Sequence, residues 1–326
     1  MKVYFTGNFG EGDKNMQEGR LLDIKRVFRC NGHEWLVPAV YCFEEGISVD
    51  ICKRIPITEV KEFFEKWPRT ERIGLTMEQQ NERRAADPFG GHCKFDLHVN
   101  GKKVEGEGWS GTSWYGTDDE REDEDAAELL EAYELDRDSA WSFYRARFFR
   151  PEDAEEIKTL DMTITAYADT VPCGCRFTSV VGCAPFDVEF THPVTRDKRC
   201  LHILSCTHAS MDNQEMKWNL DKEQDCFIYP EKYCKLEYRE ATPKASSGAV
   251  MVRDCARSDN PIRKEPSESD CSVAVNIIGG ARGVSVLTDF DVKTACSAMH
   301  FEEQQQVEWY VSAEVVPFKP KKVRLL

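Results

Sequence analysis

From Ile157 to the C-terminus the sequence falls into short β-patterned runs separated by Pro, Gly, Asp and Asn, and this texture constrains the fold more than any other feature. Nine such runs stand at residues 158–167, 176–181, 186–190, 200–207, 233–240, 249–253, 271–278, 283–288 and 307–316. Short strands at this spacing, with turn signals between them, suit an antiparallel sandwich or barrel. No repeating period is visible, which argues against a solenoid or a propeller. Residues 257–269 are polar, carry Pro261 and Pro266, and read as a long loop.

The first half mixes both periodicities. Strands are expected at 2–6, 22–30 and 34–43. Another is expected at 46–55, where Ile47, Val49 and Ile51 alternate with Ser48, Asp50 and Cys52 in the manner of a half-buried strand. Pro56 opens a helix whose Val60, Phe63, Phe64 and Trp67 form one apolar stripe, and Pro68 ends it. Thr76 and Gln79 have capping-box spacing for a helix to Ala86. Residues 94–104 read as a hairpin turning at Asn100-Gly101, with Phe95, Leu97 and Val99 facing one way and Asp96 and His98 the other. An amphipathic helix over 125–133 and an aromatic strand over 141–149 follow. The expected architecture is an acidic α+β domain over 1–150, a charged connector at 151–156 and a mostly antiparallel β-sandwich over 157–326.

Two domains also suit the length of 326 residues, which exceeds the roughly 250–300 at which a single core stops growing. The net charge is -15, and it is unevenly placed: residues 1–156 carry 34 acidic and 22 basic side chains. Such a field repels nucleic acid and anionic membrane surfaces and favours a basic protein as partner. The N-terminus lacks the apolar core of a secretory signal, and no stretch approaches the ~20 apolar residues of a membrane helix. The expectation is a soluble cytoplasmic protein whose 14 cysteines are thiols, most of them small buried hydrophobes.

The densest chemistry lies between residues 173 and 208. Cys173, Cys175 and Cys183 precede His192, and Cys200, His202, Cys206 and His208 follow it. On an unbroken strand Cys200, His202, Leu204, Cys206 and His208 share one face, with alternate residues ~6.5–7 Å apart. Two of those side chains, with Cys173 and Cys175, have the ligand chemistry for tetrahedral zinc. The pattern lacks the Cys-x₂₋₄-Cys knuckle of structural zinc sites, and the plainer alternative is a sheet face where cysteines pack and histidines rim it.

Other signals are sparse. Gly-x-Ser-x-Gly, His-Glu-x-x-His and the Gly-x₄-Gly-Lys phosphate loop are absent. Cys296 and His300 would pair only on a helix, and strand-like sequence flanks them. Gly7-Asn8-Phe9-Gly10-Glu11-Gly12 and Gly279-Gly280-Ala281-Arg282-Gly283 read as turns rather than phosphate cradles. The acidic run from Asp118 to Asp125 suits a helix start or a docking site for a basic partner. Trp109, Trp114 and Tyr115, separated by small residues, read as a loop that either binds a ligand or partner or covers a domain joint.

Three segments carry a resemblance: Met1-Lys2-Val3-Tyr4-Phe5-Thr6-Gly7-Asn8, the run Phe190-Thr191-His192-Pro193-Val194-Thr195 leading to His202, and Asp254-Cys255-Ala256. Through them the chain resembles a family of uncharacterised proteins from gut clostridia. The pattern departs at Arg196, where such relatives would carry Gly in the turn. The resemblance implies a bacterial cytoplasmic source and brings no assigned activity. Three functions follow as expectations: a non-catalytic binding protein first, a metal-binding protein or metalloenzyme using the 173–208 cluster second, and a hydrolase without a readable signature third.

Overall fold

The computed structural model describes residues 1–5, 9, 17–68, 75–90, 93–116, 123–149, 156–211, 227–241, 249–263 and 292–326. Both glycine-rich turns (Phe9 excepted), the strands expected at 271–278 and 283–288, residues 118–122 of the acidic run, 151–155 of the connector and 264–269 of the long loop lie outside the described residues.

In chain order the strands and helices begin with β1 (Arg20–Cys30), β2 (His33–Cys42), β3 (Gly46–Ile55), α1 (Ile57–Lys66), α2 (Met77–Ala86), β4 (Cys93–Val99) and β5 (Lys102–Lys103). Then come β6 (Gly106–Trp114), α3 (Glu124–Ala132), β7 (Ala140–Phe149), β8 (Leu160–Ala166), β9 (Asp169–Val180), β10 (Phe186–Thr191) and β11 (Lys198–Ser210). The chain continues with β12 (Phe227–Ile228), β13 (Lys232–Glu240), β14 (Val250–Asp254), β15 (Ile262–Arg263), β16 (Lys293–Cys296), β17 (Gln306–Val315) and β18 (Lys321–Arg324). Strands hold 54% of the described residues and helices 12%, in mostly antiparallel sheets.

Local signals form as the sequence dictates. Thr76 and Gln79 close a reciprocal capping box: each backbone N–H donates to the other's side-chain oxygen, at 2.8 and 3.2 Å. Asn100 and Gly101 adopt φ of 50° and 82°, the paired left-handed conformations of a type I′ hairpin turn. Asp123 caps α3 by accepting from the N–H groups of Asp125 and Ala126. Residues 2–5, expected as a strand, are not one; Val3 and Phe5 instead pack on Ala39, Tyr41 and Phe43.

The chain divides into two compact units. One comprises Met1–Arg72, Arg84–Asp169 and Val316–Leu326, and the other Ile73–Arg83 and Thr170–Val315. The changeover falls later than residues 151–156 because β8 pairs with β4 and β18, in the sheet order β18-β8-β4-β5 of the first unit. That unit also holds the order β1-β2-β3-β7-β6. Ile47, Val49 and Ile51 of β3 and Tyr144 and Phe148 of β7 meet Leu97, Leu160 and Met162 of the other sheet in one core. The expected half-buried β3 is buried on both sides. Its second face lies under α3, whose Ala126, Leu129 and Leu130 pack on Cys52, Trp141 and Phe143.

In the second unit the orders are β10-β11-β13-β16, β14-β17-β9 and the ribbon β12-β15. Leu201, Ile203, Cys206 and Leu236 of the first sheet share a core with Val252, Trp309 and Val311 of the second.

Candidate functional site

The shared-face arrangement expected of the Cys/His cluster fails at a bulge. Along β11 the register with β13 runs Leu201↔Glu240 and Ile203↔Tyr238, then skips Leu204 and resumes at Ser205↔Glu237. One extra residue reverses the alternation of every side chain beyond it. Leu201 and Ile203 therefore point into the core before the bulge and Cys206 after it, all fully buried. Cys200 and His202 are left on the opposite, outer face.

The six residues consequently separate. His202 Nδ1 bonds to Asp187, its cross-strand partner on β10. His208 donates from Nε2 to the Gln304 carbonyl at 3.0 Å, and its Nδ1 lies 3.6 Å from Glu303. Cys173 and Cys175 of β9 pack with Phe177 against the core, and Cys175 donates to the Glu189 carbonyl at 3.5 Å. Among the described residues no three His, Cys, Asp or Glu side chains gather as metal ligands. The proposed zinc site at Cys173, Cys175, Cys200, His202, Cys206 and His208 is thus not assembled. Cys296 and His300 fare likewise: Cys296 ends β16, while His300 bridges Lys232 and pairs with Asp259 at 3.1 Å.

His192 has a structural role. Its Nδ1 accepts from the N–H groups of Val194 and Thr195, at 3.3 and 3.2 Å, and the ring is buried. Burial, helped by the Arg199 charge, holds its pKa below the usual imidazole value, so the neutral ring that can accept is favoured. This clamp carries Arg196 through the turn at φ 60°, the left-handed conformation for which glycine is the usual choice.

Burial pushes the thiols upward: Cys93 and Cys234 to about 11, Cys173 and Cys255 to about 12. An unfolded thiol ionises near pH ~8.5. A folded-state pKa raised above that value contributes stability that is whole below pH ~8.5 and is lost as pH climbs towards the folded values. The urea midpoint is therefore expected to fall steadily between pH 8.5 and 11, with Tyr41 and Tyr133, also raised by burial, adding to the loss above pH ~10. A midpoint flat across that interval would contradict the burial of these groups.

The aromatic segment is a strand, not a loop. As β6 it pairs with β7, with Trp109↔Ala146 and Trp114↔Trp141 opposed. An odd spacing on a strand sends two side chains to opposite faces. Trp109 meets Tyr144 edge-on at 5.6 Å and stays 39% exposed, whereas Trp114 donates to the Arg137 carbonyl near α3. Tyr115 meets Phe89 at a tilt of 54°, with the ring centroids 4.6 Å apart. The three do not make one surface.

What spacing could not reveal is a buried charge network. Arg145 donates from Nε and Nη2 to the two carboxylate oxygens of Asp50, both at 2.7 Å, and each side chain is 2% exposed. Tyr133 donates to Asp50, and Tyr41 donates in turn to the Tyr133 oxygen at 3.0 Å. Phe9 lies over the guanidinium at 4.6 Å. The only hint in the sequence was a charged residue, Asp50, on the polar phase of β3.

Residues 123–138 carry a run of exposed carboxylates, of which Asp136 pairs with Arg54 at 3.3 Å. Asp123, Glu124, Glu128, Glu131, Glu134, Asp136 and Asp138 are exposed, and Arg137 is the one cation in that stretch. Among the described residues no helix is long and apolar enough to cross a membrane. Compared with protein-family models, with curated proteins and with solved structures, the chain matches none.

Proposed function

We propose that the chain is a non-catalytic binding protein of the bacterial cytoplasm whose partner is a basic protein. The observation that carries this reading is the acidic surface of α3 and the turn after it. Ala126, Leu129 and Leu130 root the helix in the core, so its exposed Glu124, Glu128 and Glu131 stand on a fixed support, flanked by the exposed Asp123, Glu134, Asp136 and Asp138. Like charges on a rigid element form a field that steers a cationic partner at no ordering cost. We read the scaffold as an α+β N-terminal domain followed by a β-sandwich, a reading supported by the single core that the two larger sheets of the second unit share. The clostridial resemblance supports the bacterial setting.

The test is capture from a bacterial lysate on the immobilised chain. A basic protein is expected to bind at 0.05 M salt and to elute as ionic strength approaches ~1 M, where screening shrinks to ~3 Å. The triple variant Glu124→Lys, Glu128→Lys and Glu131→Lys should lose it, since its changes lie on the solvent side of the helix. Recovery of nothing reproducible, or of proteins retained equally by the triple variant, would overturn the proposal.

A further inference from the structure

The geometry points to β6 as the docking edge, taken by an extended basic segment of the partner that adds to the first unit's sheet as a further strand; this rests on the binding reading above and specifies its mode. The sheet β1-β2-β3-β7-β6 ends in two very different edges. Natural sheets blunt free edges with charges and bulges, because an unpaired row of N–H and C=O groups recruits other strands. At one edge β1 is blunted in both ways. It carries Arg20, Asp23, Lys25, Arg26 and Arg29, and its register breaks between Asp23 and Arg26, with Lys25 at φ 46°. At the other edge, the charge and the register break of β6 are confined to its first residues, where Glu107 accepts from Arg147 at 3.1 Å and the ladder shifts between Gly106 and Gly108; from Gly108 to Trp114 the strand reads Gly-Trp-Ser-Gly-Thr-Ser-Trp, with neither charge nor proline. Among the described residues only β7 pairs with it.

Charge decides the occupant. Thr112 donates to Asp123, which sets the acidic start of α3 beside the middle of β6 on the same face as Ser110 and Thr112. The opposite face presents Trp109, 39% exposed, its ring lying against Gly111. An incoming strand would therefore meet carboxylates on one face and an indole on the other. Alternating basic and apolar side chains satisfy both, with main-chain hydrogen bonds supplying the rest, as in other strand-addition complexes.

The experiment is selection of a random nonapeptide library displayed on phage against the full chain. Lysine or arginine alternating with β-branched or aromatic residues is the expected enrichment. The best peptide, resynthesised with alternate backbone N-methyl groups, should bind at least ~10-fold more weakly, because it keeps every side chain but loses ladder donors. Trp109→Ala should weaken the unmethylated peptide about 30-fold, the size of an aromatic anchor's contribution; Trp109→Phe should restore most of it. Basic peptides without alternation, bound equally when methylated, would overturn strand addition while leaving the basic-partner reading intact. Absence of any basic enrichment would overturn both. Salt-sensitive self-association in sedimentation, abolished by Trp109→Ala, would assign the edge to a second copy of the chain and overturn the choice of occupant.

Discussion

Replacing Asp50 with alanine is expected to lower the stability of the first unit by about 3–5 kcal/mol, the cost of stranding a buried charge. Arg145 is almost wholly buried, and its two donors at 2.7 Å go to the Asp50 carboxylate. Removing that partner leaves a desolvated cation whose remaining neighbours include the ring faces of Phe9 and Tyr41 and the Met1 Sδ, a weak acceptor at 3.8 Å. Against a total stability of about 5–15 kcal/mol for a typical domain, a loss of this size takes the unit to the edge of unfolding. Tyr133→Phe should cost less, about 1.5–3 kcal/mol, because it deletes the hydrogen bond to Asp50 and the one accepted from Tyr41 but leaves the ion pair whole. Urea denaturation of the three proteins checks the ordering. The double variant Asp50→Leu with Arg145→Met should recover much of the loss, since a packed apolar pair can match a buried ion pair. If Asp50→Ala and Tyr133→Phe cost the same, the pair is not desolvated as described.

Trp309→Ala is expected to cost about 3–5 kcal/mol in the second unit, from lost burial plus the cavity left behind. Trp309 is fully buried between the two sheets of that unit, and its Nε1 donates to Ser179 Oγ at 2.9 Å. Trp309→Phe separates the two contributions. It fills much of the space but leaves the buried Ser179 hydroxyl without that donor, so about 1–3 kcal/mol of the loss should remain. Thermal unfolding followed by circular dichroism reads both. Equal, small shifts for the two variants would mean that the sheets do not close over this residue.

Much of the chain's local structure was legible. The ranges expected at 22–30, 34–43, 46–55 and 141–149 lie within or coincide with β1, β2, β3 and β7 to within a residue at most ends. The hairpin turn at Asn100-Gly101 and the capping box at Thr76 and Gln79 formed from neighbouring atoms alone. β6 escaped notice because glycine and serine have little intrinsic strand preference, and the segment becomes a strand only by pairing with β7. The candidate zinc cluster misled for a different reason. Alternation predicts faces only while the register is unbroken, and the bulge at Leu204 is set by how β11 meets β13.

The sequence by itself therefore determined where most strands, the Asn100-Gly101 turn and the Thr76 cap lie, because those depend on residues within a few positions of one another. It also determined that the carboxylates of the first half would outnumber their counterions. Which face each side chain occupies was decided by the tertiary structure. Asp50 became a buried partner of Arg145 because α3, Tyr133 and Phe9 cover that face of β3 and β7. Cys206 left the company of Cys200 and His202 because of one unpaired residue, and β6 became an edge because the sheet ends there. Each outcome depends on pairing between segments distant in sequence, which periodicity along a single strand does not encode.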